Sequence, residues 1–164
     1  MAANDVIMIG VFVFMFAIGF FILFNISGTM IGSMMGISAI NQSEAAVEAL
    51  QGTQRMTGRL DYVVFALFIG LTLGLIITSW FVAGNPIFMV LYFFVVVMGV
   101  IFSSVFSNIW ETTAGASVFG TTIASFPITN NLMGNLPIYL AVVGFVGIIV
   151  MFAKPYFSQN NQVY

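Results

Sequence analysis

The sequence predicts an all-α integral membrane protein with four transmembrane helices in a single membrane domain, residues 1–164. Hydrophobic residues make up 61% of the chain and charged residues only 5%, whereas charged residues make up about 25% of a soluble domain. Apolar stretches recur at about 6–27, 62–83, 87–109 and 136–153. At about 1.5 Å per residue these stretches match a hydrocarbon core of about 30 Å, although the last is only just adequate.

The first apolar stretch is longer than one crossing requires. Residues 6–40 carry no charged side chain, and as one helix they would extend roughly 50 Å. The stretch also exceeds the apolar core of a signal peptide, about 7–15 residues, which predicts a retained anchor. Asp5 lies just before it and would complement the positive end of the helix dipole. We expect this helix either to bend near Asn25 or to continue beyond the bilayer.

Small residues recur at four-residue spacing in three of the predicted helices. Gly28, Gly32 and Gly36 place three side-chain-free positions on one helix face, a pattern known as a glycine zipper. This face is predicted either to pack against another helix of the chain or to mediate self-association or docking on a partner. The second and third spans carry similar stripes, for which we expect packing within the chain: Gly70 and Gly74, then Gly99, Ser103 and Ser107.

The polar connector, residues 41–61, holds five of the eight charged residues. Asn41 and Glu44 have the spacing of a helix-capping pair, which predicts a short helix up to Gly52. Arg55 and Arg59 lie one turn apart, where they would flank the second span or meet phospholipid headgroups. After the second span, residues 84–86 read Gly-Asn-Pro, which is typical of a turn. We therefore expect the second and third helices to form a tight antiparallel hairpin.

Residues at the ends of the predicted spans are expected to lie at the membrane interface. Aromatic rings and cationic side chains favour this depth, and the candidates are Arg55, Arg59, Trp80, Trp110, Glu111 and Lys154. Glu111 is interpreted as a solvated charge, with an ion-pathway carboxylate as the alternative. Because every charged residue falls at or beyond a predicted span end, the sequence argues against a coupled transporter or proton pump.

The uncharged loop, residues 112–135, is rich in Thr, Ser, Gly and Asn but is interrupted by apolar residues. It is too polar for an ordinary span and too apolar for a solvated linker. Three structures fit this composition: a loop lying on the membrane, a short re-entrant helix, or a surface that another protein recognises. Pro127 argues against one helix throughout the segment. A specific partner site is expected here first.

Composition excludes several function classes. The chain has no cysteine and no histidine, so the usual nucleophile, general base and haem or metal ligands are missing, and we expect neither an enzyme nor a cofactor. Five acidic residues outnumber three basic ones, which leaves no patch for nucleic acid. Four crossings place both larger connectors on one side of the membrane and both termini on the other. The connector side has two basic residues, Arg55 and Arg59, and the terminal side has one, Lys154, which favours connectors on the inside.

The almost uncharged four-span body, the Thr/Ser/Asn loop and the Asn/Gln-containing tail resemble small membrane proteins of icosahedral bacteriophages with an internal lipid membrane. The resemblance covers the chain in overall style, and no residue's role follows from it. It implies a virion protein that organises the internal membrane and contacts the capsid.

From the residues themselves we expect a non-enzymatic structural or assembly protein that sits in the bilayer as a homo-oligomer or within a larger assembly. One alternative is a small oligomeric channel or holin-like pore. Another is an accessory subunit of a respiratory or export complex. Candidate pore-lining residues are Asn25, Thr72, Thr78 and Asn108.

Overall fold

A computed structural model describes residues 2–82 and 86–159, and over these residues the chain forms helices and turns and no strand. The turn predicted at residues 84–86 therefore lies largely outside the described residues, as does the end of the tail. The helices are α1 (Ala2–Met35), α2 (Ser38–Asn41), α3 (Glu44–Thr57), α4 (Leu60–Val82), α5 (Pro86–Ala114), α6 (Gly120–Ile123), α7 (Pro127–Gly134) and α8 (Leu136–Gln159).

Four of these helices, α1, α4, α5 and α8, are long and apolar enough to cross a membrane. This confirms the predicted fold class. Proline begins α5, where its missing N–H and fixed φ do not disturb helical bonding. The side chains buried along α1 recur every three or four residues, so one face of this helix points inward. They are Val6, Ile9, Val13, Ala17 and Phe21. Many large apolar side chains on the opposite faces are exposed, as expected for surfaces that meet lipid.

The four long helices form an antiparallel bundle. α1 runs in the same direction as α5, since Val6 lies against Gly99 and Phe14 stacks on Phe106. α8 runs in the opposite direction, since Gly144 lies against Val96 and Gly147, further along α8, lies against Tyr92, earlier in α5. Around the bundle, α1 and α8 each pack against both α4 and α5.

The expectation of a tight hairpin between the second and third spans is wrong. Over the described residues, α4 and α5 share no extensive contact and occupy opposite corners of the bundle. The physical reason is where the small residues point. Gly99 of α5 admits α1, and Gly144 and Gly147 of α8 admit side chains of α5. Close packing therefore joins α5 to α1 and α8 rather than to the helix that precedes it in the chain.

α1 is displaced along the bundle axis relative to its neighbours. Val6 meets Gly99, which lies about 18 Å along α5 from Ile87 at 1.5 Å per residue. The first turn of α1 therefore lies beside the middle of α5, and the other end of α1 extends past the ends of α4, α5 and α8. We call that end of the bundle the upper end. Asp5, expected at the end of a span, instead lies near the middle of the bundle.

Two smaller units cover the upper end. The segment after α5, which we call the cap, consists of a 3-10 turn at Ser117–Phe119 together with α6 and α7. No single helix runs through the segment, as Pro127 led us to expect, and Pro127 itself is the first residue of α7. The second unit, which we call the arm, is residues 25–57: the last turns of α1, then α2, then α3, which folds back along α1. In the arm, Ser43 caps α3 by accepting a hydrogen bond from the Ala46 N–H.

Candidate functional site

A buried carboxylate attaches the cap to the bundle. Asp61, in the first turn of α4, is only 3% exposed. Its two oxygens accept hydrogen bonds from the backbone N–H groups of Ile128 at 3.0 Å and Thr129 at 2.6 Å. These donors belong to the first turn of α7, where N–H groups have no partner within the helix and the helix dipole is positive. Asp61 therefore caps α7 from a distant part of the chain.

Four further hydrogen bonds attach the cap to the bundle. Ser107 donates a hydrogen bond to the Gly134 carbonyl at 2.9 Å, and the Trp110 indole N–H donates to Asn130 Oδ1 at 3.0 Å. From α1, the Asn25 amide donates to Thr122 Oγ1 at 2.9 Å and to the Val118 carbonyl. The cap is therefore a folded part of the molecule rather than a solvated linker.

Aromatic rings fill the space between the cap and the bundle. The Phe21 ring lies 5.1 Å from that of Trp110, 5.0 Å from Phe119 and 5.8 Å from Phe126. Phe24 adds an edge-to-face contact with Phe126. This cluster explains the apolar residues that interrupt the uncharged loop, because Phe119 and Phe126 point into the bundle.

The arm carries exposed apolar side chains beyond the bundle. Ile26, Met30 and Met34 follow one another at four-residue spacing on α1, and Met30 is 59% exposed. From Phe21, which lies beside Trp110 near the end of α5, α1 rises about 21 Å further to Met35. Ile26, Met30 and Met34 therefore form an apolar stripe on the part of α1 that extends past the bundle. A pocket of about 390 Å³ lies between the arm and the cap, lined by Gly28 and Gln54 of the arm and Thr122 of the cap.

Gly28 and Gly32, the first two positions of the glycine zipper, do not pack against another described helix of the chain. Packing within the chain was one of the two expectations for this face. A methyl group placed on Gly28 or Gly32 would meet no heavy atom of another described residue within 4 Å. Gly36 lies beyond the last residue of α1, and its nearest neighbour is the Ser33 carbonyl oxygen of its own chain segment. Gly70 and Gly74 of α4 are open in the same way, so their expected packing within the chain is also wrong.

The stripe on α5 packs within the chain, as expected. A methyl group on Gly99 would lie 3.4 Å from Val6 and 3.7 Å from Ile7. Ser103 is buried and donates a hydrogen bond to the Val100 carbonyl, and Ser107 holds the cap. The glycines of α8 are tighter still, since a methyl group on Gly144 would lie 2.5 Å from Val96.

The predicted interface residues fall into two groups. Arg55, Arg59 and Glu111 are exposed, and Trp80 is 41% exposed near the end of α4. Glu111 lines a cleft of about 640 Å³ with asparagines of the cap. Trp110 differs, because its ring is fully buried and meets protein rather than headgroups. The side chain of Lys154 lies outside the described residues.

Asp5 lies beside α4 rather than beyond the end of the bundle, where the sequence predicts it. It lines a groove with Gly70, Gly74 and Thr78 of α4. Asp5 is partly exposed there. On the side of the bundle away from the arm, α4 and α5 expose apolar side chains such as Phe81 and Val90.

The fold and these sites define a helical multi-pass membrane protein with a folded cap and a protruding arm. Among the described residues, no three acidic side chains come together as a metal site would require. Comparisons with models of known protein families, with curated proteins and with solved structures found no match to this chain. Function is therefore argued from the surfaces of this molecule.

Proposed function

We propose that this chain is a non-enzymatic structural membrane protein that is anchored in a bilayer and binds another protein through its arm. The observation that carries the proposal is the apolar stripe Ile26, Met30 and Met34, which α1 holds clear of the bundle. Exposed apolar surface of this kind is typical of interaction sites. Methionine adapts its shape to a partner surface, which suits it to docking.

The contacts of three candidate pore-lining residues favour a structural protein over a pore. Asn25 donates its hydrogen bonds to the cap, Thr78 donates to the Leu75 carbonyl, and the Thr72 hydroxyl oxygen is buried. Asn25 and Thr78 are thus hydrogen-bonded within the chain and the Thr72 hydroxyl is enclosed without a partner, whereas Asn108, the fourth candidate, is exposed. The bundle interior is filled by large side chains such as Tyr92 and Leu75.

The more specific proposal comes from the resemblance stated above: a virion protein that organises an internal membrane and contacts the capsid. Isolation from native particles or membranes in mild detergent, followed by measurement of the mass and composition of the assembly, tests it. Co-isolation with a capsid protein and lipid supports it. A homo-oligomer that conducts ions after reconstitution, or a fixed stoichiometry with respiratory or export subunits, contradicts it.

The role of the arm is tested in the same preparation. Met30→Lys places a charge in the apolar stripe, so we expect the protein to remain in the membrane but to lose its partner from the purified assembly. Met56→Lys is the matched control, because Met56 is exposed on α3 and not on the stripe. Retention of the partner by Met30→Lys would contradict docking through the stripe.

A further inference from the structure

We propose that α1 pairs with α1 of a second copy of this chain, through the face of the helix that is turned away from the bundle. We call this surface the outer face, and it carries the nine large apolar side chains of α1 that are exposed between Met8 and Met34. The inference rests on the proposed function, in which the stripe Ile26, Met30 and Met34 binds a protein, and it identifies that protein.

The outer face is one continuous surface that is longer than lipid alone can cover. At 1.5 Å per residue, Met8 and Met34 lie about 39 Å apart along the helix. A hydrocarbon core is about 30 Å thick, and at the usual tilt of about 20° the face still spans about 37 Å. A soluble partner reaches only the part beyond the bilayer. A partner that covers the whole face is therefore a transmembrane helix that continues past the bundle, as α1 itself does.

The spacing of residues on the outer face suits an identical helix that runs parallel to it. The centre line of the face advances by four and three residues in alternation, the heptad spacing that keeps two helices in contact as they wrap around each other. Two copies inserted in the same direction hold their α1 helices parallel and at equal height, so each residue of this line meets its own counterpart. The contact line consists of Phe12, Phe16, Gly19, Leu23, Ile26 and Met30.

Gly19 gives the contact line a point of close approach. It is exposed, and a methyl group there would meet no atom of another described helix within 4 Å. Small residues on membrane helices allow two backbones to approach closely, and Gly19 lies midway between Met8 and Met30 along the face. Residues 6–40 carry no charged side chain, so identical faces meet without repulsion between like charges.

The area of the outer face matches what a stable dimer buries. The nine apolar side chains are between 39% and 63% exposed. At roughly 100 Å² for a half-exposed large side chain, they offer about 900 Å², and a stable interface buries about 800 Å² of each partner. The glycine zipper, for which self-association was one expectation, is a separate surface, since Gly28 lines the pocket beside the cap.

Cysteine cross-linking of the purified full-length protein in liposomes tests the pairing. The chain has no cysteine, so a single cysteine on the contact line can form a disulfide only with its counterpart in another copy. Ile26→Cys should give a disulfide-linked dimer on oxidation. Met56→Cys is the matched control and should not, because Met56 is exposed on α3 and not on the outer face. Dilution with excess lipid should remove products of random collision but not the Ile26→Cys dimer.

Opposite charges at one position test whether two copies meet there. Labels on Gln42→Cys, at an exposed site before α3, report dimerisation by energy transfer. Met30→Lys and Met30→Glu should each weaken dimerisation at least about tenfold, equivalent to about 1.4 kcal/mol, because like charges would face each other. Mixed in equal amounts, the two variants should pair with one another. This rescue separates a lost interface from lost folding, because misfolded variants do not regain a partner.

A monomeric purified protein, or equal cross-linking of Ile26→Cys and Met56→Cys, would overturn the inference. Failure of the mixed Met30 variants to pair would do the same. If Met30→Lys loses a different protein from the native assembly while the purified chain is monomeric, the proposed function stands and this inference fails. If Met30→Lys keeps its partner, both fail. The two failures are therefore distinguishable.

Discussion

At the scale of single residues, a few polar side chains fix the cap on the bundle. Asp61 lies 67 residues before Ile128 in the chain, and Asn25 lies 97 residues before Thr122. Each contact satisfies backbone or side-chain donors at the upper end of the bundle. Because buried donors without partners are costly, these contacts determine where the short helices of the cap lie.

Replacement of Asp61 tests this argument most directly. Asp61→Ala removes the acceptor of two N–H groups at the start of α7, so we expect a loss of about 1–3 kcal/mol in the free energy of unfolding. Asp61→Asn keeps one acceptor oxygen and should lose less. Thermal unfolding in detergent measures the loss, and hydrogen exchange should increase first at Ile128 and Thr129. Glu111→Ala, at an exposed site, should change neither measurement.

At the scale of the helices, length and polarity in the sequence were sufficient to predict the spans, but packing partners were not predictable. Four-residue spacing of Gly70 and Gly74 shows that a close approach is possible, and it contains no information on which helix approaches. The same spacing accompanies tight packing at Gly99 and an open surface at Gly74. The contact between Asp61 and α7 had no local signal either, because it joins distant segments.

The difference between packed and open glycines is measurable. In Gly144→Ala the new methyl group would lie 2.5 Å from Val96, so we expect overpacking to cost about 1–3 kcal/mol in the free energy of unfolding. Gly74→Ala introduces the same methyl group where no described atom lies within 4 Å, and should leave stability unchanged or raise it by up to about 1 kcal/mol, because alanine favours a helix more than glycine does. Equal losses in unfolding experiments in detergent would contradict the helix arrangement described above.

At the scale of the whole molecule, the displacement of α1 produces both an arm that extends past the bundle and a carboxylate, Asp5, that lies beside α4 rather than beyond the end of the bundle. The sequence did not predict this displacement, because each apolar run was expected to be centred on the same bilayer. The position of α1 instead follows from side-chain contacts, in which Val6 meets Gly99 and Phe21 meets Trp110. Those contacts outweigh the exposure of apolar residues on the arm.

The two tryptophans report how the molecule sits in the bilayer. In Trp110→Phe only Trp80 emits, and its exposed ring near the end of α4 should be quenched strongly by brominated lipids. Bromine near the headgroups should quench it more than bromine at the chain ends, because rings at span ends lie at that depth. In Trp80→Phe only Trp110 emits, and it should be quenched weakly, since its ring is fully buried against Phe21 and donates to Asn130. Similar quenching of both rings would place Trp110 at the lipid surface and contradict the cap packing.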